Sequence, residues 1–314
     1  ATVQIYDQPF VSVIGGDASA GSSFDMITGA LAPISTAGIF SWNNGAPNYG
    51  GAGSQFAVYA LGDINGFASS VGNLAQQPTG LSFSQDMSST CADYESYCYG
   101  GNFGTVPPIE DYYDKFKPSS AAQTDQTINL SNLINSGTVT SYNFVPIGGT
   151  LIITPDEQIP AGTTVKVFVN GNVYIDSPTN GLPGIAYAGS PWSSISMVPS
   201  FQLIVKGNIY INYQVTQLDG IYVAEPTGAS NTGIIDDCDT SAIGSEATPD
   251  QCATALTVNG TFTAYGVKLE RNAGTAGNGQ PAETFNYNPS IWLGNPIAPN
   301  PAPFTEILNS PPVL

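Results

Sequence analysis

The amino-acid sequence predicts an all-β protein, a β-solenoid (parallel β-helix) with irregular loop excursions and a proline-rich C-terminal tail. Three observations lead there. The first is a recurring unit made of an apolar strand, a glycine beside a polar residue, and a second strand. It reads VFVNGNVYI at Val167–Ile175, LIVKGNIYI at Leu203–Ile211 and LTVNGTFTA at Leu256–Ala264, with looser versions at Val11–Ala18 and Phe56–Phe67. Recurrence within one chain marks architectures whose strands stack on their own copies, each burying a face it cannot bury alone. The glycines at 171, 207 and 260 are unevenly spaced, so the coils carry excursions of different length. The second observation is composition. Hydrophobic residues make up 41% of the 314, yet charged residues only 10%, against roughly 25% in an ordinary soluble domain. A sizeable core can form, and the surface has to be built mainly of Ser, Thr, Asn, Gln, Gly and Tyr. Such a surface suits secreted fibrous or surface-layer material, where long charged side chains hinder close packing of copies. The third is the stretch running on from the second motif: Ile209-Tyr210-Ile211, Val215-Thr216 and Gly220-Ile221-Tyr222-Val223-Ala224 read as three strand pieces within one coil length.

Four zones succeed one another along the chain. Residues 1–90 form an N-terminal β region, with alternating strands at Gln4–Ile14 and Gln55–Phe67 and turn signals at Gly15-Gly16-Asp17 and Gly62-Asp63. Residues 91–126 hold Cys91, Cys98, five tyrosines and a helix-compatible run, Ile109–Phe116. This zone reads as a disulfide-stapled, Tyr-rich excursion that projects from the strands. Residues 127–270 carry the strongest strand signal, the solenoid core, with turns at Pro160-Ala161-Gly162, Asn170-Gly171 and Asn259-Gly260 suited to a positive φ. An Asn-Gly pair either folds a hairpin or marks a corner where the chain passes to the next face, and the sequence leaves both open. Residues 271–314 contain Pro296, Pro299, Pro301, Pro303, Pro311 and Pro312, which forbid a central strand or helix there. That zone is expected to be a strap or an arm.

Charge and cysteine content restrict the function. Six basic residues (Lys115, Lys117, Lys166, Lys206, Lys268 and Arg271) face 24 acidic ones, a formal charge of −18. So few cations cannot neutralise a run of phosphates, which excludes nucleic acid and anionic membrane surfaces as partners. The acidity either keeps subunits soluble or attracts divalent cations. No apolar run approaches the roughly 18 residues of a spanning helix, so no membrane insertion is expected. Ala1-Thr2-Val3 reads as the first residues after signal-peptide removal, placing the protein outside the cell or on its surface. With no histidine and no C-x-x-C, the four cysteines read as disulfides rather than a zinc site. Of three pairings, Cys91 with Cys98 and Cys238 with Cys252 is favoured, because each pair staples one excursion.

Several strings are more specific: QPFVSVIGGDASAG, GSQFAVYALGDINGF, VPSFQLIVKGNIYI, VTQLDGIYVAE, ALTVNGTFTAYGVKLER, AETFNYNPSIWL and the terminal SPPVL. In this order the chain resembles the C-terminal region of large exported surface proteins of Patescibacteria, the candidate-phyla bacteria that include Saccharibacteria. Its NG-containing strands also resemble the β-helical rungs of bactofilin-like and pilus-associated proteins. The resemblance implies a cell-surface or appendage protein and supplies no catalytic motif.

Most catalytic chemistries are excluded by residue content. Without histidine there is no Ser-His-Asp or Cys-His nucleophile, and no phosphate-cradling glycine loop is present. Glycoside hydrolysis needs only two carboxylates, and Asp236, Asp237 and Asp239 form the densest acidic cluster. Beside Cys238 in a Ser- and Thr-rich stretch, these acids read as solvated turn formers, as a calcium site, or as catalytic groups. Trp42, Trp192 and Tyr187 are candidates for stacking on sugars. Base-dependent cleavage would draw on Lys166, Lys206, Lys268 or Arg271, but Lys206 and Lys268 read as outward-facing strand residues. Asn129-Leu130-Ser131 and Asn259-Gly260-Thr261 match the glycosylation acceptor pattern. No catalytic residue is assigned, and calcium is the one cofactor considered. The expected function is that of an exported structural protein. Sixteen tyrosines and 14 phenylalanines supply contacts between copies, and open strand edges template head-to-tail addition into a filament or lattice, with the tail adding a strand to a neighbour. The alternative is a carbohydrate-binding adhesin or a carboxylate-dependent polysaccharide-degrading enzyme acting on surface glycans.

Overall fold

Strands with one apolar face must cover it, and this chain does so by laying strand upon strand in parallel register. A computed structural model describes residues 10–14, 18–20, 23–28, 38–43, 51–54, 57–60, 81–84, 111–229, 231–240, 247–248, 250–273 and 280–287. The N-terminal strands are β1 (Phe10–Ile14), β2 (Ala18–Ala20), β3 (Ser23–Thr28), β4 (Gly38–Asn43), β5 (Gly51–Ser54), β6 (Ala57–Ala60) and β7 (Leu81–Ser84). One helical turn, α1 (Tyr112–Phe116), comes next. After it lie β8 (Thr127–Asn129), β9 (Val139–Phe144), β10 (Thr150–Thr154), β11 (Thr164–Asn170), β12 (Asn172–Ile175), β13 (Gly184–Ile185) and β14 (Ser200–Lys206). The series ends with β15 (Ile209–Asn212), β16 (Gln217–Glu225), β17 (Ile234–Asp239), β18 (Leu256–Ala264), β19 (Gly266–Leu269) and β20 (Glu283–Asn286).

All pairings between these strands are parallel, in sheets of nine, eight and three strands, none closed on itself. From β8 onward the chain alternates between the two large sheets. One runs β9, β11, β14, β16, β18, β20; the other runs β8, β10, β12, β15, β17, β19. The N-terminal strands extend the same stack beyond the last C-terminal ones, since β1 pairs with β20 and β4 with β19. The third sheet is made of β2, β6 and β7 alone.

In-register pairing places like residues above one another. Leu151, Val173, Ile209, Ile235 and Val267 form one column facing the interior, and Ile39 and Phe24 hold its next two register positions. Across the core Val167, Leu203, Tyr222 and Phe262 form another. Phe201, Tyr222, Phe262 and Phe285 make successive ring contacts at 5.1–5.8 Å between centroids. Parallel strands joined by crossovers are buried from two sides, which accounts for their near-continuous apolar runs. A 3₁₀ turn at Leu130–Leu133 closes the core at the β8 end, with both leucines fully buried.

The outer face of the larger sheet carries a second apolar patch, Phe168, Ile204, Ile221 and Val223, and α1 covers it through Tyr113, Tyr112 and Phe116. The part of the predicted 91–126 excursion that is described therefore packs onto the sheet rather than projecting from it. Cys91, Cys98 and the prolines from Pro296 onward lie outside the described residues, but β20 sets a central strand between β18 and β1 inside the 271–314 zone expected to be a strap or arm, because Glu283–Asn286 precede those prolines and keep free backbone N–H groups.

One alternative left open at glycine is decided and one expectation is revised. Gly171 and Gly207 do sit at corners between the large sheets, so Asn170-Gly171 is a corner and not a hairpin. Gly260, however, lies inside β18, directly above Gly220 within β16. The third copy of the motif is therefore out of phase with the first two, and the segment 209–224 holds two strands rather than three. At Gly207 φ is +154°, and a Cβ would stand 2.3 Å from the Gly171 carbonyl oxygen. Nothing but hydrogen fits between these rungs. Gly207→Ala is expected to lower stability by about 2–4 kcal/mol through backbone strain and displaced rungs, read as a lower urea midpoint at unchanged m-value.

Candidate functional site

The acids Asp236, Asp237 and Asp239 fall on β17, every residue of which is buried. This corrects the reading of them as solvated turn formers. Strand β17 has β19 on one side and β15 on the other, and both neighbours supply partners. Asp236 lies opposite Lys268 in the β17–β19 register, and its Oδ2 is 3.2 Å from Lys268 Nζ. Lys268 alternates with the interior-facing Val267 and so lies on the outer face of its sheet as expected, yet it is only 13% exposed, and its Nζ also lies 3.9 Å from Glu270 Oε1.

Asp237 Oδ1 accepts the Glu270 N–H at 2.7 Å, and Glu283 Oε1 accepts the Arg271 N–H at 2.8 Å. The Asp237 and Glu283 carboxyls also meet each other. Burial pushes both up from the usual carboxylate range, and the neighbouring Asp237 charge raises Glu283 further. Arg271 pulls both back down. The Arg271 side chain is fully buried and serves backbone. Its Nε donates to the Asp237 carbonyl at 2.8 Å, and its terminal nitrogens donate to the carbonyls of Tyr213 and Asn212 and to Thr254 Oγ1. One guanidinium thus ties the corner after β15 to β17 and to the approach to β18.

Cys238 and Cys252 are disulfide-bonded beside this cluster. Among the described residues, no group of three or more Cys, Asp or Glu side chains converges as metal ligands would. The three β17 aspartates are directed to different partners; the Asp239 carboxylate accepts the Thr240 N–H at 2.6 Å.

The other sequence candidates are scattered. Tyr187 and Trp192 touch edge to face at 6.3 Å, but the Tyr187 hydroxyl accepts the Phe201 N–H at 2.7 Å and Trp192 Nε1 donates to the Ala188 carbonyl. Trp42 is on β4, with its side chain outside the described part. Asn129 is exposed at the end of β8, whereas Asn259 Nδ2 donates to Asp219 and its Oδ1 accepts from Asn286. Lys206 is outward-facing as expected and pairs with Asp114. Hydrogen bonds from Lys117 and Lys206 hold that carboxyl down at about 2.

Sequence reading did not single out Glu225, Glu270 or Glu283. Glu225, 3% exposed, accepts the N–H groups of Tyr112 and Tyr113 and so fastens α1 to the sheet. Burial raises its carboxyl to about 7, against those hydrogen bonds. An acid ending an apolar strand is the only sequence trace of that contact. No transmembrane-length apolar helix occurs among the described residues. Comparison with protein-family models, curated proteins and solved structures finds no match to this chain.

Two outcomes are expected. Glu225, Asp237 and Glu283 all have folded carboxyls raised above the unfolded range. The folded state therefore binds more protons than the unfolded one between about pH 4.5 and 7, and stability falls as pH rises through that window. Thermal melting should show a higher Tm near pH 5 than near pH 8, and Glu225→Gln should flatten the profile by about 2 kcal/mol. Replacing both Cys238 and Cys252 with serine should cost about 3 kcal/mol in denaturant melts, the loop-closure value for a short loop.

Proposed function

We propose that this chain is an exported structural protein, a β-solenoid whose copies add head to tail through their terminal strands into a filament or surface lattice. The observation that carries the reading is the outer edge of β9. Along its second half, Gln123 donates to the Asn143 carbonyl and accepts the Val145 N–H. Along Val139–Tyr142, no described segment pairs with that edge. Val139 and Ile147 beside it are each 63% exposed and Val145 42%. The core beneath is already sealed by Leu130 and Leu133, so what is left unpaired among the described residues is backbone hydrogen-bonding capacity with apolar flanks, a template for strand addition.

The opposite end of the stack ends in β5, β3 and β7. With every strand parallel, a second copy joins in the same direction, and that heterologous contact does not close. Export is supported by the Cys238–Cys252 disulfide, which persists in oxidising surroundings. A surface poor in lysine supports self-association, since little side-chain entropy is lost at a joint.

Negative-stain microscopy of concentrated purified protein should show filaments or sheets. Val139→Lys, which places a charge on the open edge, should leave dispersed monomers by sedimentation with unchanged circular dichroism. Wild-type protein that stays monomeric up to its solubility limit overturns the reading. Fibres of Val139→Lys identical to wild type would exclude the β9 edge as the joint.

A further inference from the structure

Lys268 and Asp236 are directly opposed on neighbouring parallel strands, with Nζ 3.2 Å from Oδ2. Glu270, two residues beyond Lys268, brings Oε1 to 3.9 Å from the same Nζ. The side chains of Lys268, Asp236 and Glu270 are 13%, 6% and 5% exposed. A buried ion pair lacks most of the hydration that makes separate ammonium and carboxylate groups stable in water. The same burial limits the water that would reverse a condensation. Strand register holds the two groups as an oriented intramolecular pair, the condition under which effective concentrations become very large.

We propose that Lys268 and Asp236 condense to an intramolecular amide that links β17 to β19 covalently, with Glu270 as the proton carrier. The balance is complete without oxidant, metal or activating nucleotide. The Lys268 ammonium gives one proton to the Glu270 carboxylate, leaving a neutral amine, and Glu270 passes that proton to a carboxylate oxygen of Asp236. The amine lone pair attacks Asp236 Cγ and the N–C bond forms. The second nitrogen proton moves through Glu270 to the departing oxygen, the C–O bond breaks, and one water leaves. Two opposite charges become one neutral amide, and Glu270 ends as it began. The crosslink and the Cys238–Cys252 disulfide then close overlapping segments of the same stretch of chain. This inference goes beyond the assembly reading and does not depend on it.

The test is mass spectrometry of the full-length protein, reduced and unfolded. The linked chain is one water lighter than its sequence. Trypsin cuts after lysine and arginine, and an acylated Lys268 resists it, so residues 207–271 should appear as one uncut peptide, one water light. A protease specific for acidic residues should then release a branched peptide joining the neighbourhoods of 236 and 268. Asp236→Ala should restore cleavage at Lys268, and Glu270→Gln, checked for folding by circular dichroism, should leave most of the chain unlinked. Wild-type protein of full mass that is cut at Lys268 overturns the proposal, whatever the microscopy of fibres shows. A folded Glu270→Gln chain that links as fully as wild type would remove Glu270 from the step.

Discussion

Everything in this structure depends on parallel strands keeping vertical register at the separation backbone hydrogen bonding imposes, roughly 4.8 Å. That separation decides which residues stack. Leu151, Val173, Ile209, Ile235 and Val267 can form one column only because each successive strand of the sheet pairs in parallel at the same register. It also decides where side chains are excluded. A Cβ on Gly260 would lie 1.8 Å from the Gly220 oxygen, and one on Gly207 would lie 2.3 Å from the Gly171 oxygen. The glycines are thus a consequence of rung spacing and mark where one backbone runs directly over another.

The same constraint explains which parts of the fold were legible in the sequence. Strand content and parallel stacking rest on apolar runs and a repeated glycine, both local signals, whereas the sequence leaves the choice of corner over hairpin at Asn170-Gly171 open. The phase of the third motif copy was not legible, because LTVNGTFTA looks like the others but its glycine answers Gly220 and not Gly207. Register of this kind is a non-local property. The Cys238–Cys252 pair was readable from spacing. The burial of Asp236, Asp237 and Asp239 was not, since a run of acids beside Ser and Thr carries the local composition of a loop. What meets them is Lys268, paired across from β17 on β19, Arg271 after the end of β19, and Glu283 at the start of β20, none of them near in sequence.

Charge is so scarce among the basic residues that the use of each one is informative. Lys206 and Lys117 both go to Asp114 on α1, and Lys268 and Arg271 both go to the β17 acids. Exposed pairs such as Lys117–Asp114 contribute little. The buried set is different in kind, because removing one member strands a charge without solvent. Arg271 meets that demand by donating to the Asp237 carbonyl within β17 and to the Asn212 and Tyr213 carbonyls at the end of β15 and the corner after it. Lys268, by contrast, sits at a regular register position between β19 and β17.

Spatial order departs from chain order at one place, and that departure bears on how the stack ends. The strands from β8 to β20 climb in sequence, but the positions beyond β20 and β19 are taken by β1 and β4, which precede them in the chain. A stack that simply stopped at β20 would present the full edge of Glu283–Asn286 to solvent. Here Val11 to Ile14 pair along that edge and β5 continues beyond them. The C-terminal rung is thereby protected by strands from earlier in the same chain, while at the other end, among the described residues, only Gln123 plays that part, over half of β9. Among the described residues, the two ends are unequal in how completely backbone groups are paired. An unequal pair of ends in an all-parallel stack defines a polarity, which is the geometric requirement for growth in one direction.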